Sequence, residues 1–470
     1  LGQQTLVEIL GTLSGAMVAA AMMLGILRLP EFSPVRRYVS TIVALRFAGA
    51  LARYLIIVGY YGGRGDALRY HEAGAVYRAA ALDGDFSGWS LESWSGTHAI
   101  ELANAVIGAP AFGAVIGEFF IFSALGFVGL ALCVVALRRS APTLPGRPMI
   151  LVMMCWPSLV FWPSSIGKEA VLLVSVGLLA VGLTSSTRRW GMVVAALALA
   201  FAIRPHVAAL EAISIVIFDT LSIQRRRGVV VLRLAVSAIV AAWVVVQGAA
   251  QLGVDATEFE TVTEEIQYRS NNTDRGGSTL GTRVVGVAAL PVGIFNVLFR
   301  PLPFEANGLT MLIAAVEVLV LWGAMWRARR TVVQVVRRWR SIPFLVLGAG
   351  FGTMWASLIG VTFVNMGILA RQRTLMMPFL VGVLALALAL KARQNARRRG
   401  HGTGLAPVPA RGHGRTTASL DVGTSVDRDG KNTHRIRGWS MGPTRAEPDP
   451  RRRAGHEPWD GASGECVDVE

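Results

Sequence analysis

The chain has 470 residues, of which 53% carry hydrophobic side chains and only 16% are charged; its mean hydropathy is +0.49. Ordinary soluble domains carry roughly 25% charge, so this composition excludes one. The formal charge is nonetheless +16, and on so apolar a chain a basic surplus marks the cytoplasmic face of a membrane protein rather than a nucleic-acid binder. Three cysteines (Cys133, Cys155, Cys466) show no paired spacing, which argues against a disulfide framework or a zinc site.

A helical span needs about 20 mostly apolar residues. In chain order the candidates are 5–27, 41–61, 111–137, 149–162, 169–186, 190–203, 207–223, 228–250, 308–326, 342–364 and 374–390, with 149–162 the weakest. The first has little positive charge ahead of it and no small-residue cleavage site, and so reads as a retained span. Basic residues cluster in alternate connections: Arg28/Arg36/Arg37, Arg138/Arg139/Arg147, Arg188/Arg189, Arg225/Arg226/Arg227 and the run Arg327 to Arg340. Placing these inside puts the N-terminus out and the C-terminus in, as an odd number of spans requires. The segment 284–300 is apolar but short and carries Pro291, which favours an interfacial or re-entrant course. The expected fold class is all-α, a polytopic transmembrane bundle of about eleven spans. Its transmembrane domain covers 1–390, with outer loops 62–110 and 251–307. The stretch 391–470, rich in Gly, Pro, Arg and Asp, is expected as a disordered basic cytoplasmic tail, since it cannot bury enough apolar surface to offset its chain entropy. No internal repeat is evident.

This topology gathers the unusual polar residues on the outer face. The loop after 41–61 opens with Gly65-Asp66 and continues as an amphipathic helix over 67–81, with Leu68, Ala75, Val76 and Ala79 facing lipid or core. Asp66 at the membrane edge can take a proton from a hydroxyl or hold a divalent ion, Mg or Mn; it reads equally as a helix N-cap. Tyr70, His71 and Glu72 follow as candidate substrate contacts, and a solvated helix face accounts for the last two as well. In WPSSIGKEA, Pro163 ends one helix, Ser164 or Ser165 caps the next, and Glu169 sits in its first turn. Lys168 runs against the inside bias, and beside free backbone N–H groups it makes an anion site; the competing reading is a tight hairpin turn. Arg204-Pro205-His206 interrupts an apolar stretch, and a guanidinium there needs a partner or a wet cavity. Arg371 and Arg373 flank Gln372, again outside, suited either to bidentate phosphate contacts or to anchoring at lipid headgroups. Within the membrane, Arg46 and Arg53 share one helical face, with Glu211, Glu118 and Glu317 as possible partners. The loop 255–283 reads as a lid or acceptor-binding loop, and RPLPFE (300–305) as a turn at the outer interface.

Gly65-Asp66 with Tyr70-His71, the Ser-rich GKE turn, the Arg204-Pro205 pair and the Arg371, Arg373, Pro378 spacing together resemble bacterial polytopic glycosyltransferases of the GT-C class, and the related polymerases of exopolysaccharide and O-antigen repeat units. The resemblance runs over 40–390 in organisation and rests on short motifs. It implies a polyprenyl-phosphate or polyprenyl-pyrophosphate sugar donor and transfer on the outer face of the plasma membrane to a glycan or glycolipid acceptor. By position, Asp66 would be the carboxylate base or a metal ligand. In that class the acidic loop follows the first span, whereas here it follows the second. A transporter or flippase for a lipid-linked substrate, and a structural subunit, are the competing classes; neither a repeated half nor a mid-membrane site supports the former.

Overall fold

The structure is a computed structural model describing residues 3–89, 96–222 and 289–402, apart from 186, 188 and 364, together with isolated positions between 235 and 246. The described part is helical throughout. Helix α1 (Gln3–Leu27) is followed by a 3-10 segment and α2 (Val39–Tyr54), whose end widens into π turns at Leu55–Tyr60. A helical hairpin follows, α3 (Asp66–Leu82) and α4 (Gly96–Ile107), on the outer side in the expected topology, and then the long α5 (Val115–Ser140). Five shorter helices come next: α6 (Gly146–Met154), α7 (Pro157–Phe161), α8 (Lys168–Thr184), α9 (Trp190–Ile203) and α10 (Pro205–Leu221). The remainder comprises α11 (Ala289–Phe299), α12 (Leu309–Arg327), α13 (Arg329–Arg337), α14 (Pro343–Thr362), α15 (Met366–Gln372) and α16 (Met377–Gly402).

Among the described residues six helices are long and apolar enough to cross a membrane: Gln4–Leu27, Pro30–Tyr60, Val115–Ser140, Leu309–Arg327, Pro343–Thr362 and Met377–Arg399. The protein is thus a polytopic membrane protein with an all-α bundle. Of the other stretches expected as spans, 149–162 is split into α6 and α7, and 169–186, 190–203 and 207–223 form α8, α9 and α10. At 1.5 Å per residue these helices reach no more than about 26 Å, short of a core of about 30 Å. The candidate 228–250 and the loop 255–283 lie outside the described residues. The segment expected as interfacial or re-entrant contains α11, which at 11 residues is about 16 Å long.

Small residues set the packing. A Cβ on Gly129 of α5 would come within 2.4 Å of the Leu173 carbonyl carbon of α8, so the two backbones touch. Gly293 of α11 and Gly360 of α14 meet in the same way. In an apolar solvent, close backbone approach of this kind supplies the dispersion contacts that water-driven burial cannot. Helix α8 is buried along nearly its whole length as a result.

The buried face of α3 is Ala67, Tyr70 and Gly74, while Val76 is 66% exposed. The hairpin packs through its small side, where Gly74 lies against Asn104 of α4. The stretch KARQNARRR, at the start of the expected tail, continues α16 as helix to Gly402. Its Lys, Arg, Gln and Ala are strong helix formers, and cations suit the negative end of the helix dipole. Residues from 403 onward, which carry the rest of the expected tail, lie outside the described residues.

Candidate functional site

Four separate pieces of chain converge at one end of the bundle, each delivered by a local break in helix. Gly65, at φ 153°, ψ 167°, turns the chain so that Asp66 is the first residue of α3. Extended Gly167 does the same before Lys168 and Glu169 at the start of α8. Pro205 opens α10 and holds the preceding Arg204 extended, at φ −151°, ψ 96°. The Asn365 side chain accepts hydrogen bonds from the N–H groups of Gly367 (2.8 Å) and Ile368 (3.2 Å), capping α15 and placing Arg371 in its last turn.

The charges interlock. Arg371 donates through Nη2 to Glu169 Oε2 at 2.8 Å and through Nη1 to Asp66 Oδ2 at 3.3 Å. Arg204 donates through Nη2 to the other Glu169 oxygen at 3.3 Å and through Nη1 to Gln372 Oε1. Glu169 is buried, whereas the Asp66 side chain is 48% exposed. Asp66 is the first residue inside α3, whose N-cap is Gly65, and its carboxylate pairs with Arg371. Lys168 donates to Thr97 Oγ1 of α4 at 3.0 Å. Burial pushes its ammonium down to about 8, and the Arg204 guanidinium acts in the same direction. Tyr70 is buried beside the group, where burial and then the Asp66 charge push its phenol up to about 12. Arg53 of α2 lies within electrostatic reach of Arg371, Glu169 and Asp66, stacked over Phe161 and Trp162 at 5.2 and 4.8 Å from the ring centres. Arg53, Lys168, Arg204 and Arg371 thus face two carboxylates, which leaves a cationic surplus. The buried Arg53 Nε has no hydrogen-bond partner among the described residues.

Other residues singled out from sequence go elsewhere. Arg373 is buried and donates to the carbonyls of Val297 (3.4 Å) and Arg300 (3.2 Å), closing the C-terminal end of α11. The turn at 373–375 sends it away from Arg371, so two arginines two residues apart serve different neighbourhoods. His71 shares Glu118 with Arg78 and Asn104: Glu118 accepts from His71 Nδ1 at 2.9 Å, Arg78 Nη2 at 3.1 Å and Asn104 Nδ2 at 3.0 Å. That group fastens the outer hairpin to α5. Glu72 is exposed on α3. His206 stacks on Trp355, whose indole N–H holds the Gln372 carbonyl at 2.9 Å, so it stands one residue behind the charged cluster. Ser164 does not cap α8; its hydroxyl bonds back to Val160 and to Ser123 Oγ at 2.9 Å.

The ions inside the bundle serve the backbone rather than one another. Glu317 accepts from the Ser158 N–H at 3.0 Å, and Arg46 donates to the Leu159 carbonyl at 2.9 Å, so together they satisfy polar groups of the short α7. A helix of five residues cannot satisfy its own ends, and in a bilayer no water can do so. Glu211 accepts from Ser175 Oγ at 2.7 Å.

Sequence reasoning passed over Gln372 and Thr97, and ranked Arg53 second. Gln372 looked like a spacer between arginines, and nothing marks Thr97 in its loop. An apolar groove of about 380 Å³ lies between α11, α14 and α16; Met376, Phe379, Leu380, Leu298 and Ala356 help to line it, and it extends to Val336 and Trp339 at the end of α13. Among the described residues no group of three His, Cys, Asp or Glu side chains is placed to hold a metal ion. Asp66 and Glu169 are each paired with arginine in this structure. No protein-family model, no curated protein and no solved structure matches the chain.

Proposed function

We propose that the protein is an integral membrane glycosyltransferase of cell-envelope polysaccharide or glycolipid synthesis, working on the extracytoplasmic face with a polyprenyl-phosphate or polyprenyl-pyrophosphate sugar. The observation that carries the reading is the convergence of Asp66, Glu169, Arg204 and Arg371 from four separate pieces of chain, with Lys168 and Arg53 adding positive charge. Such a site is complementary to a phosphodiester or pyrophosphate. In the free protein Asp66 and Glu169 occupy the guanidinium of Arg371. An arriving phosphate takes the more exposed of these contacts and releases Asp66. The freed carboxylate accepts the proton of an acceptor hydroxyl, whose oxygen attacks the anomeric carbon as the bond to the phosphate oxygen breaks. The leaving phosphate keeps the electron pair, and Arg371, Arg204 and Lys168 stabilise its charge. The apolar groove beside Met376 suits the first isoprenoid units.

In the topology proposed with this reading the protein sits in the plasma membrane with its N-terminus outside and its C-terminus inside; α6 with α7, then α8, α9 and α10 supply four further passes, and the expected eleventh, 228–250, lies outside the described residues. Repeat-unit polymerisation is the second reading, favoured by the dominance of arginine and lysine over carboxylates at the cluster. A lipid-linked-substrate flippase would bind the same donor without breaking its sugar bond. The test uses the purified full chain in nanodiscs with polyprenyl-phosphate and polyprenyl-pyrophosphate sugars. Release of polyprenyl phosphate or pyrophosphate with an acceptor present supports the reading. Polyprenyl-phosphate binding that is unchanged in both Arg204→Ala and Arg371→Ala overturns it.

A further inference from the structure

A second cationic site lies at the opposite end of the bundle. Three spanning helices mark the two ends. Helices α5, α14 and α16 reach the neighbourhood of the outer cluster with Glu118, Thr362 and Met377, and reach the other side with Ser140, Pro343 and Arg393. At that far side a cavity of about 730 Å³ opens between the end of α5, the end of α13 and the polar end of α16. Arg337, Arg338, Arg393 and Arg397 line it, with Gln334 and Thr143 between them, and no carboxylate is among its described lining residues. Arg393 donates to Thr143 Oγ1 at 3.3 Å and Gln394 to Gln334 Oε1 at 3.0 Å, so the polar wall is tied together from three elements.

The remaining wall is apolar, formed by Ala141, Leu144, Val335, Ile342 and Leu390. Helix α13, which carries one side of the cavity, is strongly amphipathic. Thr331 and Val335 are buried, while Arg329, Arg330 and Arg337 are exposed. Trp326 and Trp339 flank it, each under an arginine, Arg329 at 5.2 Å and Arg340 at 5.4 Å from the ring centre. Tryptophan with arginine at the ends of spans, around a helix of this kind, is the pattern of a segment at headgroup level.

We propose that this cavity binds the phosphate headgroup of an anionic phospholipid, with the glycerol and first acyl carbons against the apolar wall. Clustered arginines between spans on the cytoplasmic side favour such lipids over zwitterionic ones. The site is independent of the donor site: it shares no residue with the charged cluster, whose side chains come from α3, α8, α15 and Arg204.

The test is lipid titration of the delipidated full chain followed by native mass spectrometry, with phosphatidylglycerol, phosphatidylcholine and inorganic phosphate as probes. Two variants are compared, Arg337→Ala/Arg393→Ala in the cavity and Arg329→Ala/Arg330→Ala on the exposed face of α13. Phosphatidylglycerol affinity is expected to fall by about tenfold or more in the first and by less than about twofold in the second. Phosphatidylcholine should bind weakly to both, and inorganic phosphate should not displace the lipid. Equal phosphatidylglycerol affinity in the wild type and the cavity variant overturns the proposal. Displacement by inorganic phosphate at the lipid's own concentration also overturns it, since the site would then take a free anion.

Discussion

Arg371 and Glu169, 202 residues apart in the chain, meet through a charge-assisted hydrogen bond of 2.8 Å. The second Nη of the same guanidinium reaches Asp66, so a buried and a half-exposed carboxylate share one planar fork. A lysine has no such fork and cannot hold both. Arg371→Ala leaves the buried Glu169 short of its main partner, and removing one member of a buried pair costs about 3 kcal/mol. Adding Glu169→Gln to Arg371→Ala should restore most of that stability while leaving polyprenyl-phosphate binding lost. Thermal unfolding in detergent and a binding assay on the same four proteins complete the cycle. Recovery of both properties together would mean that the pair is structural only.

Lys168 gives the site a pH dependence. Its ammonium is pushed down to about 8 by burial and by Arg204. The cation is therefore present below about pH 8 and lost as pH rises through that value. Donor-phosphate affinity is expected to be level near neutrality and to fall above about pH 8. Lys168→Met should bind more weakly at neutral pH and show no inflection. Stability runs the other way. The unfolded lysine keeps its proton up to its ordinary value of about 10.4, so the unfolded state binds more protons between about pH 8 and that point, and this residue's contribution becomes more favourable as pH rises through the window. Titrating binding and unfolding on one preparation separates the two signs.

Much of the charged cluster was legible in the sequence because charge in an apolar setting is costly and must be put to use. Asp66, Lys168, Glu169, Arg204 and Arg371 stood out for that reason, and the structure gathers all five. What the sequence could not carry was direction. Arg371 and Arg373 are equivalent as a motif, and only the 3-10 turn after Gln372 separates them. His71 stands next to Tyr70, yet its fate depends on Glu118 in another helix. Gln372 and Thr97 are neutral, so nothing in composition marks them. The middle helices follow the expected stretches closely, as at Trp190–Ile203, because charged and helix-breaking residues such as Lys168, Arg204 and Pro205 mark their ends.

Asp66 should separate chemistry from folding. Its side chain is 48% exposed and makes one ion pair, so Asp66→Asn is expected to leave the unfolding temperature within about 2 °C of wild type, as for most exposed substitutions. Removing a general base lowers turnover by roughly 10² to 10⁴. Donor binding should persist, since Arg204, Arg371 and Lys168 remain. Single-turnover assays with saturating donor measure the chemical step directly. Wild-type turnover in this variant would remove Asp66 from catalysis.

Gly65 tests whether Asp66 must be held in place. A Cβ there would meet nothing within 4 Å, but the φ of 153° is one that side-chain-bearing residues rarely adopt. Gly65→Ala therefore acts through the backbone alone, at a cost of about 1 to 3 kcal/mol if the conformation is kept. The chain can relieve that strain by rotating the first turn of α3, which moves Asp66 away from Arg371. Turnover is expected to fall at least tenfold, that is by about 1.4 kcal/mol in barrier, with little change in donor affinity. Turnover and affinity falling together would instead indicate general loosening of the outer hairpin.

Glu118 governs that hairpin. It is fully buried and accepts hydrogen bonds from His71, Arg78 and Asn104, while Asn104 also holds the Tyr70 carbonyl at 3.1 Å. The carboxylate thereby ties α3 and α4 to α5, and with them Asp66 and Thr97. Glu118→Ala strands Arg78 and Asn104 in a buried setting, a loss of about 3 to 5 kcal/mol for a broken buried pair. Because these partners belong to the hairpin, that energy should be drawn first from its docking rather than from the spanning helices. Hydrogen exchange is expected to quicken over 66–107 while the amides of α5 beyond Glu118 keep their protection. The Lys168–Thr97 contact would be lost with the hairpin, weakening donor binding at neutral pH. Uniform loss of protection across α3, α5 and α8 would show instead that Glu118 supports the bundle as a whole.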